Sequence, residues 1–128
     1  DGSHLVLYFY PRDATPGCTT ESQDFRDAHQ AFVAAGAVVL GVSQDPLDSH
    51  EKFKAKQAMP FELLSDTEGT LCTAFDVLVE KNMYGKRFTG IERSTFLIRA
   101  DGTLAAQWRK VKVPGHVAEV LQAVRGLA

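Results

Sequence analysis

The chain predicts an α/β fold with a mixed central sheet flanked by helices on both faces, and three observations carry that prediction. Apolar runs too short for helices alternate with segments whose apolar residues recur at helical spacing. The early order is strand, helix, strand, and a tight hairpin signal stands late in the chain. Strands joined through helices pair in parallel, whereas strands joined by a tight turn pair antiparallel, so both kinds belong to one sheet. With 128 residues, 45% of them apolar, the chain suits a single domain over residues 1–128.

Leu5-Val6-Leu7-Tyr8-Phe9-Tyr10 is a continuous apolar and aromatic run, the pattern of a strand buried on both faces, and Pro11 ends it. From Pro16 to about Ala35, residues Phe25, Ala28, Phe32 and Ala35 fall on one helical face, with Gly36 as the stop. Residues 37–43 form the next strand. Asp45 as N-cap and Pro46 at the first helical position open a second helix that must stop before Pro60. Phe61 to Leu64 reads as a short strand. Ser65-Asp66-Thr67-Glu68 is a capping box that starts a third helix through Leu71 and Phe75 toward Leu78. Glu80 to Glu92, with Gly85 and Gly90, has neither period and reads as loop or edge strand. Residues 94–100 and 103–108 flank Asp101-Gly102, a hairpin signature. After Pro114-Gly115, Val117, Val120, Leu121 and Val124 give the last helix a clean apolar stripe. The order βαβαβαββα fits a thioredoxin-like arrangement, and the pattern alone also fits other small α/β folds.

Charge narrows the function. The net charge is −2, the pI is near 6.1, and no run of Lys or Arg exceeds a pair, which argues against nucleic acid and anionic membrane as partners. No apolar run reaches the roughly 18 residues of a membrane span, and no signal peptide is visible. Two cysteines far apart in sequence do not make a secreted disulfide framework, so the expected compartment is the reducing cytoplasm. His4, His29, His50 and His116 are scattered without metal spacing, and no Gly-rich phosphate loop occurs, so no metal or cofactor is expected.

The stretch with chemical content is Tyr8-Phe9-Tyr10-Pro11-Arg12-Asp13-Ala14-Thr15-Pro16-Gly17-Cys18-Thr19-Thr20-Glu21. A strand runs into a turn, and the turn delivers Cys18 into the first turn of a helix. A free thiol has a pKa of about 8.5, so only about 3% is ionised at pH 7; helix N-termini and cations can lower that value to between roughly 3.5 and 7.5. At a pKa of about 6 the thiolate fraction would be roughly 90%. Each residue also has a plainer reading. A lone cysteine behind a strand is usually a small buried hydrophobe, Thr15 before Pro16 is a common helix start, and Glu21 suits the helix dipole. Arg93 by default is a solvated surface charge.

The Pro-x-x-x-Thr-x-x-Cys spacing of Pro11, Thr15 and Cys18 resembles the active-site motif of the peroxiredoxins. Asn82-Met83-Tyr84-Gly85, Gly90-Ile91-Glu92-Arg93-Ser94-Thr95-Phe96-Leu97-Ile98 and Trp108-Arg109-Lys110-Val111 are similar to their Q, or bacterioferritin-comigratory, subfamily. The similarity covers essentially the whole chain. It implies a thiol peroxidase in which Cys18 attacks a hydroperoxide and becomes a sulfenic acid. It further implies that Arg93 favours the thiolate and holds the peroxide, a role suited to a permanently charged fork of donors. Thr15 offers a hydroxyl to the thiolate or peroxide, Pro11 shields the sulfur, and amides of Gly17 and Cys18 stabilise charge on the departing oxygen. Glu21 pins Arg93 from behind. Phe25, Met83, Tyr84 and Phe88 are candidates for an apolar rim, with ordinary packing equally open to each.

The chain also departs from that pattern. Many relatives carry a resolving cysteine where this chain has Gln23 or Lys54. Cys72, on the third helix, is the only other thiol. It reads as packed and inert, with a two-cysteine route through it as the alternative. The expectation is a one-cysteine mechanism reduced by an external thiol: a small thiol, or a thioredoxin- or glutaredoxin-type protein. Relatives also usually have an N-terminal hairpin before the first strand; the expectation is that it is absent here and that the chain is a monomer. A thioredoxin-like disulfide reductase is disfavoured because no Cys-x-x-Cys occurs. A non-catalytic binding or chaperone-like module is the remaining alternative.

Overall fold

The computed structural model describes residues 3–13 and 15–127, with only the backbone for Met83. Strand β1 (His4–Phe9) lies at the centre of a five-stranded sheet. Its apolar run is what a central strand needs, because side chains leave it toward two covered faces. β2 (Ala37–Ser43) pairs with β1 in parallel, and β3 (Leu63–Ser65) pairs with β2 in parallel. On the other flank, β6 (Ser94–Ile98) pairs antiparallel with β1, and β7 (Leu104–Trp108) pairs antiparallel with β6. The order β3-β2-β1-β6-β7 is a mixed sheet, as the connections require.

Alternation along β1 divides the interior in two. Val6, Tyr8 and Tyr10 join Cys18, Phe25 and Phe32 of α1 (Pro16–Ala34), Phe53 of α2 (Leu47–Gln57), and Val117, Val120 and Val124 of α4 (His116–Arg125). Leu7 and Phe9 face the other way, into a cluster with Cys72 of α3 (Thr70–Ala74), Val77, Ile91 and Phe96. The two thiols therefore belong to cores on opposite faces of the sheet.

Several boundaries differ from expectation, each for a local reason. Pro46, not Asp45, is the N-cap of α2, because the Asp45 carboxylate accepts instead from the Asp13 amide at 2.7 Å and the Ser43 hydroxyl at 2.6 Å. The short third strand covers 63–65 rather than 61–64. The third helix starts at Thr70, after Gly69 in the left-handed region, and ends at Ala74. Asp66 instead continues the β2–β3 pairing, its N–H donating to the Ser43 carbonyl at 2.8 Å. Its carboxylate still caps the helix, accepting from the Leu71 and Cys72 amides at 3.1 and 2.8 Å. The segment read as loop or edge strand is a hairpin, β4 (Leu78–Met83) and β5 (Lys86–Ile91). Its turn places both Tyr84 (φ 55°) and Gly85 (φ 78°) in the left-handed region, the geometry of a tight two-residue connection.

Candidate active site

β1 delivers the chain at Tyr10, whose N–H is held by the Val42 carbonyl at 3.0 Å, and α1 opens shortly after, at Pro16. Pro at the first helical position presets the entry, and Thr19 is the first amide to reach a carbonyl, that of Thr15 at 2.8 Å. The amides of Gly17 and Cys18 precede it and so have no acceptor within the helix. Cys18 points inward at 1% exposure.

Arg93 leaves the sheet just before β6, 75 residues away, and its side chain is 16% exposed, far from a solvated charge. Nη2 donates to Cys18 Sγ at 3.3 Å and Nη1 donates to Glu21 Oε1 at 2.7 Å. Glu21 is fully buried and its second oxygen has no hydrogen-bond partner among the described residues. Burial pushes its carboxyl up to about 7 against the pull of the Arg93 guanidinium. A side chain at position 17 would bring a Cβ to 3.2 Å from Arg93 Nη2, so glycine there also makes room for the cation.

The loop is anchored from below by groups that sequence reasoning left without a role. Tyr10 donates to Asp13 Oδ1 at 2.6 Å, Ser49 donates to Asp13 Oδ2 at 2.8 Å, and His50 Nδ1 lies 2.7 Å from Asp13 Oδ2. His50 Nε2 lies 3.0 Å from the Leu64 carbonyl, which can only accept. Acceptors at both ring nitrogens favour the imidazolium. Burial alone would lower the His50 pKa, but the hydrogen bond and charge of Asp13 and the Leu64 carbonyl raise it. Burial likewise works to raise Asp13, yet the bonds from His50, Tyr10 and Ser49 hold its carboxyl below the usual range. Asp13, Asp45 and His50 offer ligand atoms within 4.8 Å of one another, a grouping that no sequence spacing announced. Each of those atoms already serves a hydrogen bond, so the group reads as a buried network rather than a metal centre.

Other expected residues lie elsewhere. The Thr15 hydroxyl donates to the Arg12 carbonyl at 2.9 Å; it neither donates to the sulfur nor accepts from a helix amide. Phe25 is not a rim residue: it is fully buried and stacks on Tyr8 at 4.5 Å. Phe88 and Tyr84 are exposed on the hairpin; the rim role expected of Met83 lies outside the described residues. Pro11 is half-buried at the loop start. Cys72 is fully buried, and burial, helped by the Asp66 carboxylate, pushes its thiol up to about 12. Gln23 donates to Gln57 at 2.8 Å, bridging α1 to α2. His116 is a core residue beside Thr95, and burial pushes it down to about 4.

The sequence and the fold are both similar to those of known proteins. Residues 1–107 match the AhpC/TSA family. The chain is 54% identical over 127 residues to Peroxiredoxin Bcp of Bacillus subtilis, covering 99% of this chain and 81% of the relative, and 55% identical to Peroxiredoxin Bcp of Xanthomonas campestris, covering 99% and 79%. The chain belongs to the AhpC/TSA family, in its Q, or Bcp, branch. A solved structure of the Xanthomonas campestris bacterioferritin comigratory protein, studied for alkyl peroxide reduction, superimposes with a TM-score of 0.93 at 54% identity, covering 98% of this chain and 80% of that one. The fold of this peroxiredoxin is thioredoxin-like, and its chemistry is that of a thiol-dependent peroxidase, with a peroxide as substrate and a thiol as reductant. No helix among the described residues is long and apolar enough to cross a membrane.

Proposed function

We propose that Cys18 reduces hydrogen peroxide and organic hydroperoxides, and that a thiol from outside the chain resolves its sulfenic acid. The observation that carries this is the Arg93 fork, with one nitrogen on Sγ at 3.3 Å and the other fixed by Glu21 at 2.7 Å. The attacking form of a thiol is the thiolate, and the guanidinium fixed at the sulfur is placed to donate to it. Sulfur bonds to the terminal peroxide oxygen, which keeps its hydrogen as S–OH. The O–O bond breaks, and the departing alkoxide or hydroxide takes a proton from water. Arg93 and the Gly17 and Cys18 amides stabilise the charge that develops on those oxygens. One external thiol then displaces water to give a mixed disulfide, and a second releases Cys18 as the thiol.

Resolution from outside is supported by Cys72, which sits in the core on the other face of the sheet and whose thiol is held protonated by burial. A disulfide needs Cα atoms within about 7 Å. Stopped-flow oxidation of Cys18 by hydrogen peroxide tests the reading. The expected result is fast loss of one thiol, abolished in Cys18→Ser and slowed about 100-fold in Arg93→Ala, the usual loss for a pre-positioned donor. Oxidation no faster than free cysteine would favour a non-catalytic module instead. After one equivalent of peroxide, mass spectrometry should find a sulfenic acid at Cys18. A stoichiometric Cys18–Cys72 disulfide would leave the peroxidase intact and overturn external resolution.

A further inference from the structure

The chemistry above makes no use of the Asp13–His50 network, yet that network stands on the chain that leads to Cys18. The Asp13 N–H donates to Asp45 Oδ2 at 2.7 Å, and the Asp13 carboxylate receives Tyr10 at 2.6 Å, Ser49 at 2.8 Å and His50 Nδ1 at 2.7 Å. Cys18 follows in the first turn of α1, buried and in contact with Arg93. The chain entering α1 is therefore tied at Tyr10 by the Val42 carbonyl, at Asp13 by this network, and at Cys18 by Arg93. The middle tie needs a charged imidazole. Nδ1 faces the Asp13 carboxylate and Nε2 faces the Leu64 carbonyl at 3.0 Å, and neither partner can donate, so both contacts are bonds only while both nitrogens carry hydrogen. The other groups facing the ring are the Tyr10 hydroxyl after β1, the Ser43 hydroxyl on β2, and the Asp45 carboxylate that Ser43 reaches at 2.6 Å. Asp13 and Asp45 both favour its charge. Loss of the proton leaves one N–H for two acceptors, so one contact turns repulsive and the tie at Asp13 weakens.

We infer that His50 is a positioning residue for the reductive half of the reaction, and that its protonation sets how readily the entry to α1 yields to the reducing thiol. This rests on the peroxidase reading with external resolution and adds to it what controls access. A buried sulfur meets an outside thiolate only if the chain near it gives way. The tie at Val42 belongs to the sheet and the tie at Arg93 to the reacting sulfur, so the tie at Asp13 is the one that loosens while the Arg93 fork stays in place. The chemical step is unchanged: the thiolate sulfur bonds to Sγ, the S–O bond breaks, and the oxygen leaves as water with a proton from solvent. The sign follows from linkage. His50 is raised above its ordinary value near 6.5 while the entry is closed, so the tie is full below that value and fades as pH climbs through the raised one. Opening therefore becomes easier as pH rises.

The test converts the whole chain to the Cys18 sulfenic acid with one equivalent of hydrogen peroxide. The external thiol is 2-nitro-5-thiobenzoate, which is ionised at both pH 6 and pH 9 and loses its colour when the mixed disulfide forms. Rates are measured at the two pH values for the wild type, His50→Asn and Asp13→Asn, and are read as ratios of variant to wild type so that the intrinsic reactivity of the sulfenic acid cancels. Both variants should react faster than the wild type at pH 6. The ratio for His50→Asn should fall about tenfold by pH 9, a modest coupling between two sites. Asp13→Asn keeps the ring but removes its anion, and its ratio should fall less. Oxidation of both variants by hydrogen peroxide should be slower than that of the wild type at pH 6, and a defect of the scaffold alone would not move the two half-reactions in opposite directions. A ratio for His50→Asn that is equal at the two pH values, or reduction slowed together with oxidation, overturns the inference while leaving the peroxidase standing. A Cys18–Cys72 disulfide formed before the thiol is added overturns external resolution and this inference with it. Wild-type oxidation no faster than that of free cysteine overturns the peroxidase reading as well.

Discussion

The segment that leads into α1, just ahead of Thr15, Gly17 and Cys18, is tied down by the Asp13–His50 pair, so removing half of that pair is the sharpest probe of how the site is held. Both side chains are nearly inaccessible, 4% and 2% exposed, and their atoms are 2.7 Å apart. Replacing His50 with Leu leaves a buried carboxylate without its cation, a change that costs about 3–5 kcal/mol. Asp13 keeps bonds from Tyr10 at 2.6 Å and Ser49 at 2.8 Å, which places the loss at the lower end, about 3 kcal/mol. That is a large share of the 5–15 kcal/mol typical of a domain. The pH dependence has a definite sign. His50 is raised in the folded protein, so its contribution is full below its ordinary value near 6.5 and is lost as pH climbs through the raised value. Asp13 is lowered, so its contribution is present above its ordinary value near 3.8 and is lost as pH falls through the depressed one. The assay is urea unfolding of the wild type, His50→Leu, Asp13→Asn and the double variant at pH 6 and pH 9. A coupling energy of about 2 kcal/mol or more is expected at pH 6, shrinking at pH 9. Coupling below about 0.5 kcal/mol at pH 6, or equal at the two pH values, would refute the reasoning. His50→Leu should also slow Cys18 oxidation, although His50 bonds neither to the sulfur nor to Arg93.

Two further predictions separate the site from the scaffold. Gly17→Ala places a Cβ 3.2 Å from Arg93 Nη2, and a guanidinium displaced by a few tenths of an ångström should slow Cys18 oxidation by about tenfold. Stability should hold or rise, because alanine is the better helix residue by roughly 0.5–1 kcal/mol, as thermal melts would show. Glu21, raised from 4.5 to about 7, contributes about 3 kcal/mol that is fully present below pH 4.5 and lost as pH rises through 7. Glu21→Gln should flatten that limb of the stability curve while keeping an acceptor for Arg93 and most of the activity; Glu21→Ala should free the guanidinium and slow peroxide reduction.

The sequence displays what is local and conceals what is long-range. The β1 run, the α4 stripe and the Asp101-Gly102 turn were legible because one element holds the whole signal. So was the placement of Cys18 at the start of α1, since Pro16 and the end of β1 frame it within a few residues. The β4–β5 hairpin was not legible. It stands off the main sheet with much of both faces exposed, so its residues carry no apolar alternation, and Tyr84 occupies a turn position where Asn, Asp or Gly would have announced it. The late start of α3 was concealed because the competing bond from Asp66 to Ser43 crosses between strands. The same holds for the loop anchor: nothing near His50 in sequence announces Asp13, 37 residues away.

The division of the interior by β1 also supports the proposed resolution by a thiol from outside the chain. Successive residues of a strand point to opposite faces, so Tyr8 and Tyr10 belong with Cys18 while Leu7 and Phe9 belong with Cys72. Bringing the two sulfurs together would require the start of α1 or the whole of α3 to leave its core. On the α3 side that means abandoning the Asp66 cap and the cluster of Phe9, Phe75 and Phe96. On the α1 side it means breaking the Arg93 bonds to Glu21 and the sulfur, on which the proposed reaction of Cys18 rests. At the α1–α2 contact a hydrogen bond between Gln23 and Gln57 holds the helices together without redox chemistry. Resolution by an external thiol lets both cores and the Arg93 fork remain intact, which is the physical ground for preferring it.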